Sequence, residues 1–350
     1  MDDRQACWGI LPKVSRSFSL CIKVLPAPLD SQMMLSYLLY RAIDTIEDSH
    51  ASVEDKKILF DMLIGSLRCK KYPQERVARL KTALAAKLDY TYEKELVGNI
   101  DAVIREYYEV PAKARSAIRG WGRVMARGMY EFQTRKIRTF KDQDLYSYYV
   151  AGVVGHLFND LLLYNDVITE KMRDRLHLHA RKFGLALQKV NILRDVAHDI
   201  PSGRRYWPLS TMQKYQLGYS SLLKSENRGK AMKVLREEID DAVQYLHSAM
   251  YYTMSLPKTA LRVRMFCLIP LFMAIESYVK CIDNHEIFES EKTVKITREQ
   301  VHAIVAKSTL LGMSNSALAK WFMQAMAKAS PALARQKYVE GTAGPENARK

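Results

Sequence analysis

Two aspartates four residues apart, Asp195 and Asp199, lie in the stretch LQKVNILRDVAHDIPSGRRYWP of residues 187–208. In an α-helix this spacing places both carboxylates on one face. Gln188 and Asn191 continue that face toward the amino end, and the opposite face carries an apolar stripe. We therefore predict one long helix that ends at Asp199 and presents amide and carboxylate oxygens to a ligand.

Arginines border this acidic face. Arg194 precedes the first aspartate, Pro201 ends the predicted helix, and Arg204 lies in the basic loop that follows. Oxygen ligands beside guanidinium groups suit a polyanion that is held partly through a hard divalent cation.

A second pair with the same spacing, Asp44 and Asp48, lies far earlier in the chain, on a helix with an apolar opposite face and with Arg41 beside it. One such pair is typical of an exposed salt-bridge ladder. Two helices with this pattern instead predict that four carboxylates face one cavity and bracket Mg²⁺ ions, with Mn²⁺ as the alternative. Glu47 and His198 lie within these clusters and are weaker candidates as ligands.

Composition indicates a helical protein. The 350 residues are 48% hydrophobic, and only 15 Gly and 11 Pro interrupt them, which favours long helices over strands. We predict one all-α domain over residues 1–329 and a disordered tail over residues 330–350. A net charge of +16 favours a phosphorylated substrate or an anionic membrane surface. Because the chain has no long Lys/Arg run and no zinc-finger spacing, nucleic acid is not an expected partner.

Cysteine usage and hydropathy bear on location. Five cysteines without a CxxC spacing are typical of reduced thiols in a cytosolic protein. No window of about 20 apolar residues is present, and the apolar run at the start is too short for a signal peptide. We expect a cytoplasmic protein that contacts the inner membrane face peripherally and does not span the membrane.

Residues 142–164 are predicted to form a helix in which Ala151, Gly152 and Gly155 crowd one side. Glycine inside a helix costs about 1 kcal/mol relative to alanine. Such a cost is accepted where another helix packs closely or where a long ligand approaches the backbone, and the sequence leaves both alternatives open. Tyr146 lies in an aromatic cluster at the start of this segment.

Residues 15–18 also have two interpretations. Ser15 and Ser17 could cap the start of a helix. Alternatively, their hydroxyls and Arg16 could form a corner that binds phosphate. Common nucleotide and hydrolase signatures, namely a GxGxxG turn after a strand, a P-loop and a GxSxG elbow, are absent from the sequence.

These motifs together resemble the squalene and phytoene synthases, the head-to-head branch of the trans-isoprenyl diphosphate synthases. The resemblance extends from about Ser15 to Met323. It rests on residues 15–18, 41–48, 128–129, 146–152, 188–199, 203–204 and 266–275. The last of these segments is more similar to squalene synthases of the eukaryotic type than to phytoene synthases.

The resemblance implies a single-domain isoprenoid synthase fold, an all-α bundle around a central cavity. It implies that Mg²⁺ binds to Asp44, Asp48, Asp195 and Asp199, and that Tyr146 takes part in proton loss. The residues implied to bind farnesyl diphosphate are Ser15, Arg16, Ser17, Phe18, Arg41, Met129, Gln188, Asn191, Arg194, Arg204 and Phe266. The residues suggested for the phosphates of NADPH are Arg16, Lys292, Lys295 and Arg298.

The expected activity is condensation of two farnesyl diphosphates to presqualene diphosphate, followed by NADPH-dependent reduction to squalene, by a protein that we expect to be monomeric. One alternative is a dehydrosqualene or phytoene synthase that uses no reductant. Another is a non-catalytic helical assembly protein on the same fold. The second acidic motif departs from many squalene synthases, because residues 196–198 read Val-Ala-His where an aromatic residue and an acid are common.

Overall fold

The computed structural model describes residues 2–88, 93–292 and 294–329, without the side chain of Arg16. Every regular element in these ranges is helical, so the predicted all-α class is confirmed. The predicted disordered tail, residues 330–350, lies outside the described residues. Within the described part of the chain, no helix combines the length and the apolar character needed to cross a membrane.

The first helices run from the amino end to the middle of the chain. They are α1 (Asp3–Val14), α2 (Arg16–Val24), α3 (Leu29–Asp48), α4 (Val53–Ser66), α5 (Gln74–Lys87), α6 (Lys94–Gly98), α7 (Ile100–Glu109) and α8 (Ala112–Glu131). The next are α9 (Phe140–Ser147), a π-helical turn (Tyr148–Gly152), α10 (Val153–Tyr164), α11 (Glu170–Arg194) and α12 (Val196–Asp199).

The remaining helices follow the loop after Asp199. They are α13 (Leu209–Lys214), α14 (Tyr219–Leu222), α15 (Arg228–Val243), α16 (Leu246–Ser255), α17 (Leu261–Cys281), α18 (Arg298–Leu311) and α19 (Asn315–Ala329). Short 3₁₀ turns occupy Ser225–Asn227 and His285–Phe288.

Two compact units account for these helices. The first comprises the described residues of Met1–Arg135 and Val153–Arg175, and the second those of Lys136–Gly152 and Leu176–Lys350. In the first unit, α3 packs against α8, and α8 also packs against α10. The Tyr40 hydroxyl of α3 donates to the carbonyl of Ile118 in α8 at 2.9 Å. This bond anchors the helix that carries the first acidic pair.

In the second unit, the long apolar helix α17 packs against α15, α16, α18 and α19. Its Phe272 ring stacks on Trp321 of α19 with the ring planes 4° apart. The Tyr278 hydroxyl donates to the carbonyl of Ala186 in α11 at 2.8 Å. Helix α17 therefore supports α11, which leads to the second acidic pair.

Two predicted helices are interrupted. The helix expected over residues 142–164 contains the π-helical turn Tyr148–Gly152, and the helix expected to end at Asp199 is broken at Asp195. Neither interruption contains proline, although the first contains Gly152. π-Helical turns occur often at functional sites. This turn lies in the segment where the sequence shows small residues along one side of the predicted helix.

Candidate active site

The last turns of α3 carry a cluster of three carboxylates. One oxygen from each of Asp44, Glu47 and Asp48 can be chosen so that all three lie within 4.8 Å of one another. The described residues contain no other group of three or more acids, histidines or cysteines with this arrangement. Hard oxygen ligands at this density fit Mg²⁺ or Mn²⁺, so the residues present agree with the predicted metal.

Glu47 is a full member of this cluster, although the sequence had ranked it below Asp44 and Asp48. Burial, followed by the charges of Asp48 and Asp44, raises the pKa of Glu47 well above its ordinary value. Lys56 offsets this repulsion in part, and its ammonium donates to the backbone carbonyl of Glu47 at 2.7 Å. A bound cation would relieve the same repulsion, which is the electrostatic character that a metal site needs.

Arg41 lies one turn before the cluster and pairs with Asp44. Its Nε donates to Glu93 Oε1 at 2.8 Å, and its Nη2 lies 2.7 Å from the same oxygen. Burial acts to lower the pKa of Arg41, but Asp44 and Glu93 outweigh it and raise the pKa above its ordinary value. Glu93 therefore fixes the guanidinium that the sequence assigned to diphosphate. Sequence reasoning missed Glu93, since nothing local links it to Arg41.

The Ser15 hydroxyl accepts a hydrogen bond from the Phe18 backbone N–H at 3.2 Å and caps α2. The helix-cap interpretation is therefore confirmed for Ser15, whereas Ser17 lies inside α2. Phe18 stacks on Tyr37 of α3 with the ring centroids 5.4 Å apart. Ser17 is exposed. A phosphate-binding role for Ser15, Arg16, Ser17 and Phe18 stays a prediction.

Met129 lies in α8 and is fully buried in the first unit. It acts there as a core residue. Its predicted contact with a farnesyl chain stays a prediction.

The second acidic pair belongs to the second unit. Helix α11 ends at Arg194, and Asp195, with φ −96° and ψ 8°, lies between it and the short helix α12. The prediction of one unbroken helix to Asp199 is therefore wrong. Backbone hydrogen bonds of the helical type nevertheless continue across the break. The Asp195 N–H donates to the Asn191 carbonyl, and the Asp199 N–H donates to the Asp195 carbonyl, both at 2.9 Å. The backbone break consequently leaves the two aspartates one helical turn apart.

Each aspartate of the second pair has an arginine of its own. Arg194 Nε and Nη2 donate to the two carboxylate oxygens of Asp195 at 3.0 and 3.1 Å. Arg204 Nε lies 3.0 Å from Asp199 Oδ1. The second pair is thus more nearly neutralised than the first cluster, where three carboxylates share Arg41 and Lys56.

The loop after α12 returns Arg204 to Asp199. Pro201 follows the end of the helix, and Gly203 adopts φ +81°, a left-handed conformation that favours glycine. The Arg204 N–H then donates to the Asp199 carbonyl at 2.9 Å. Gly203 therefore permits the tight turn that places a guanidinium beside the aspartate.

The predicted polar face of α11 is present. The Arg194 Nη2 donates to Asn191 Oδ1 at 3.3 Å, and Asn191 Nδ2 lies 3.5 Å from Gln188 Oε1. Gln188, Asn191 and Arg194 all keep accessible surface, whereas Val190 and Leu193 are buried. His198 is exposed, with its Nδ1 3.3 Å from Arg204 Nη2, in agreement with a peripheral role.

Tyr146 is buried near the end of α9 and stacks on Tyr206 of the loop, with ring centroids 4.6 Å apart and planes 21° apart. The π-helical turn follows, and Arg181 of α11 lies 4.9 Å over the Tyr148 ring. A Cβ on Gly184 of α11 would lie 2.5 Å from the Ala151 carbonyl carbon. Close helix packing is therefore the reason for small residues at this crossing.

Comparison with known proteins decides the family. The family model described as "Squalene/phytoene synthase" matches residues 11–300. The chain belongs to the squalene/phytoene synthase family. It is therefore a prenyltransferase of isoprenoid biosynthesis.

Relatives in this family cover most of the chain. It is 30% identical to a squalene synthase of Rattus norvegicus, over 87% of this chain and 70% of the relative. It is 32% identical to squalene synthase 1 of Arabidopsis thaliana, over 83% of this chain and 68% of that protein. A solved complex of TcSQS with the ligand BPH1237 has a TM-score of 0.83 at 28% identity, covering 96% of this chain and 93% of the other.

A dehydrosqualene synthase in complex with a ligand has a TM-score of 0.60 at 19% identity, covering 88% of this chain and 95% of the other. This likeness shows a common fold alone. The squalene/phytoene synthase fold predicted from the motifs is thus confirmed.

Three of the four residues predicted to bind NADPH lie on the surface of the second unit, namely Lys292, Lys295 and Arg298. Lys292 donates to Glu286 Oε1 at 2.8 Å and lies 3.5 Å from Glu289 Oε2. Lys295 and Arg298 are exposed. Carboxylates neutralise Lys292 in this structure, and binding of NADPH by these residues stays a prediction. Phe266, predicted to contact substrate, is buried in α17.

Proposed function

We propose that this protein is a squalene synthase that condenses two farnesyl diphosphates head to head and then reduces the product to squalene. The Asp44–Glu47–Asp48 cluster beside Arg41 carries the proposal, because it joins hard oxygen ligands and a fixed cation in one place. The relatives named squalene synthase at 30% and 32% identity support the substrate and the product.

We propose that the acidic residues bind Mg²⁺, with Mn²⁺ as the alternative. We assign this role to Asp44 and Asp48, assisted by Glu47, and to Asp195 and Asp199. When bound, the metal neutralises the diphosphate and makes it a better leaving group.

The arginines orient the diphosphates and balance their charge. Arg41, Arg194 and Arg204 are each held by a carboxylate, so their guanidinium groups are already oriented before substrate arrives. Arg16 is assigned to the same task from the resemblance, together with Ser15, Ser17, Gln188 and Asn191 as hydrogen-bonding groups.

Tyr146 is assigned to proton removal at its hydroxyl. Departure of diphosphate from one farnesyl chain leaves an allylic cation, which the double bond of the second chain attacks. Loss of a proton then closes the cyclopropane ring of presqualene diphosphate. The stacked Tyr146 and Tyr206 rings can also stabilise positive charge through their π faces. Phe266, Phe18 and Met129 are assigned to contact with the apolar chains.

The reductive step is proposed from the similarity to squalene synthases. NADPH is the expected hydride donor, with Arg16, Lys292, Lys295 and Arg298 as candidates for binding its phosphates. The assignment of these residues rests on the resemblance to squalene synthases.

Substitution of the paired acids tests the metal assignment. Asp44→Asn and Asp195→Asn are expected to lose nearly all diphosphate release from farnesyl diphosphate with Mg²⁺, while the helical circular dichroism stays unchanged. Asp174→Asn is a control, because Asp174 is an exposed acid paired with Arg173. Near-normal release by either variant would remove its helix from the metal site.

We further propose a monomer that contacts an anionic membrane surface at the cytoplasmic side. The net charge of +16 supports an electrostatic attachment. Binding to phosphatidylserine vesicles is expected to weaken from low to high salt, because salt screens exposed charges. Binding that does not respond to salt would contradict the proposal, and light scattering measures the oligomeric state.

A further inference from the structure

A buried ammonium group organises the centre of the second unit. Lys189 of α11 is only 2% exposed, pairs with Asp241 of α15 and lies 2.8 Å from Asp144 Oδ1 of α9. Burial acts to lower the pKa of Lys189, but the two carboxylates outweigh it and raise the pKa above its ordinary value. Lys189 is therefore charged and ties three helices together.

Gln143 of α9 links this ion pair cluster to the loop after α12. Its Oε1 accepts from Lys189 Nζ at 2.7 Å, and its Nε2 donates to Glu238 Oε2 at 2.9 Å and to the Tyr206 carbonyl at 3.1 Å. Only the amide oxygen can accept from an ammonium, so Lys189 fixes which way the amide points. The Gln143 amide nitrogen is therefore the group that donates to the Tyr206 carbonyl.

Glu238 of α15 completes what we name the Lys189 network, formed by Lys189, Asp144, Asp241, Gln143 and Glu238. Its Oε1 is buried without a hydrogen-bond partner among the described residues. Burial raises the pKa of Glu238 to about 8. Protonation of Glu238 avoids a further negative charge beside Asp241 and Glu237.

Groups from several helices face this carboxyl. They are Lys189 of α11, Asp241 and Glu237 of α15, Tyr219 of α14 and Tyr278 of α17. Lys189 is the one cation among the groups that shift its pKa, and it is already shared by Asp144 and Asp241. Ionisation of Glu238 is therefore opposed by burial and by the charges of Asp241 and Glu237 on α15.

The Lys189 network is connected to both residues of the Tyr146–Tyr206 stack. Gln143 lies on α9 three residues before Tyr146, and the same amide holds the backbone of Tyr206, whose ring stacks on Tyr146. Asp144, next to Gln143, also accepts from the Tyr245 hydroxyl at 2.6 Å. The Gln143 amide consequently connects the backbone of Tyr206, and the helix that carries Tyr146, to α11 and α15.

We propose that the Lys189 network positions the Tyr146–Tyr206 stack for the condensation, with Gln143, Lys189 and Glu238 as positioning residues. The inference rests on the proposed function, in which the Tyr146 hydroxyl takes the proton. A buried ion pair is weak evidence for a role in stability, because apolar residues can often replace such a pair without loss of stability. What the network supplies is a single orientation of the stack.

Gln143→Leu tests the link to Tyr206. We expect kcat for presqualene diphosphate formation to fall about 100-fold, the size of effect that a misplaced reacting group produces, with the KM for farnesyl diphosphate within about threefold. Amide hydrogen exchange in residues 200–208 is expected to rise in the variant without substrate. Thr253→Val is the matched control, since its buried hydroxyl bonds only within α16, to Ala249.

Amide hydrogen exchange distinguishes failure of the proposed function from failure of the inference about the Lys189 network. If the wild-type protein makes no presqualene diphosphate while exchange rises in Gln143→Leu, the proposed function fails and the structural link stands. Normal kcat and unchanged exchange in a folded Gln143→Leu variant would overturn the inference.

Glu238→Gln is the second variant and keeps the shape of the side chain, so it tests the inference if Gln143→Leu does not fold. Its amide oxygen still accepts from Gln143, so activity at pH 7 is expected within about twofold of wild type. Wild-type kcat is expected to fall further than that of the variant as pH rises through about 8. Identical alkaline profiles for the two proteins would contradict the role of Glu238.

Discussion

Arg194 and Asp195 are adjacent residues that form a two-point ion pair at the end of α11, with donor–acceptor distances of 3.0 and 3.1 Å. The pair spans the backbone break between α11 and α12. Two bonds fix the orientation of the guanidinium more firmly than one bond would, as in other bidentate pairs. Lysine could not reproduce this geometry, because its ammonium is a single point of charge.

We therefore expect Arg194→Lys to raise the KM for farnesyl diphosphate about tenfold, a loss of ~1.4 kcal/mol. Steady-state kinetics measures this effect. Arg236→Lys is the control, because Arg236 is an exposed arginine of the same unit that pairs with Asp283 at 2.7 Å. Equal KM values in the Arg194 variant and the control would remove Arg194 from substrate binding.

Glu47→Gln tests the third carboxylate of the α3 cluster. The substitution keeps the shape of the side chain and removes one charged ligand oxygen. We expect the Mg²⁺ concentration for half-maximal activity, and the Kd for Mn²⁺ measured by electron paramagnetic resonance, to rise about 10- to 100-fold. Glu54→Gln changes an exposed acid of α4 and is expected to alter neither value. Unchanged Mn²⁺ binding in Glu47→Gln would limit the site to the two aspartates.

Gly184→Ala tests the close helix crossing at the π-helical turn. The new Cβ would lie 2.5 Å from the Ala151 carbonyl carbon and 2.7 Å from Gly152 Cα, so the backbone must move. The free energy of unfolding is expected to fall by at least about 1–3 kcal/mol, the usual cost of overpacking. Gly229→Ala meets nothing within 4 Å and is expected to stabilise by about 0.4–1 kcal/mol. Denaturant titration measures the free energy of unfolding of both variants. Equal values would exclude a steric clash at this helix crossing.

Glu238→Gln gives a prediction about stability as well as activity. The folded-state pKa of Glu238, about 8, exceeds the ordinary value of 4.5, so the folded protein holds a proton that the unfolded chain releases. The contribution of Glu238 to the free energy of unfolding of the wild-type protein is therefore complete below about pH 4.5. This contribution is lost as pH rises toward 8. The Tm of Glu238→Gln minus that of wild type is expected to increase from pH 5 to pH 8. A constant difference would mean that Glu238 is ionised when folded.

The sequence predicted the features that depend on spacing within one helix. Asp44 and Asp48 share a face of α3 because residues four apart always do, and the apolar positions opposite them are buried as expected. The cap of α2 by Ser15 is equally local. Motif similarity then added the family, which spacing alone could not supply.

Features that depend on distant residues were not predictable in this way. Glu93 reaches Arg41 across 52 positions of the chain, and Gln143 reaches Glu238 across 95. Neither pair has a local pattern that would connect its members. The break at Asp195 was also missed, because the residues around it favour a continuous helix and the helical hydrogen bonds persist across the interruption.

The most direct test of the central claim is product analysis after incubating the protein with farnesyl diphosphate and Mg²⁺, with and without NADPH. We expect squalene only in the reaction that contains NADPH, and presqualene diphosphate or dehydrosqualene in the reaction that lacks it. Identical products in the two reactions would contradict the assignment as a squalene synthase and would place the protein with the dehydrosqualene and phytoene synthases.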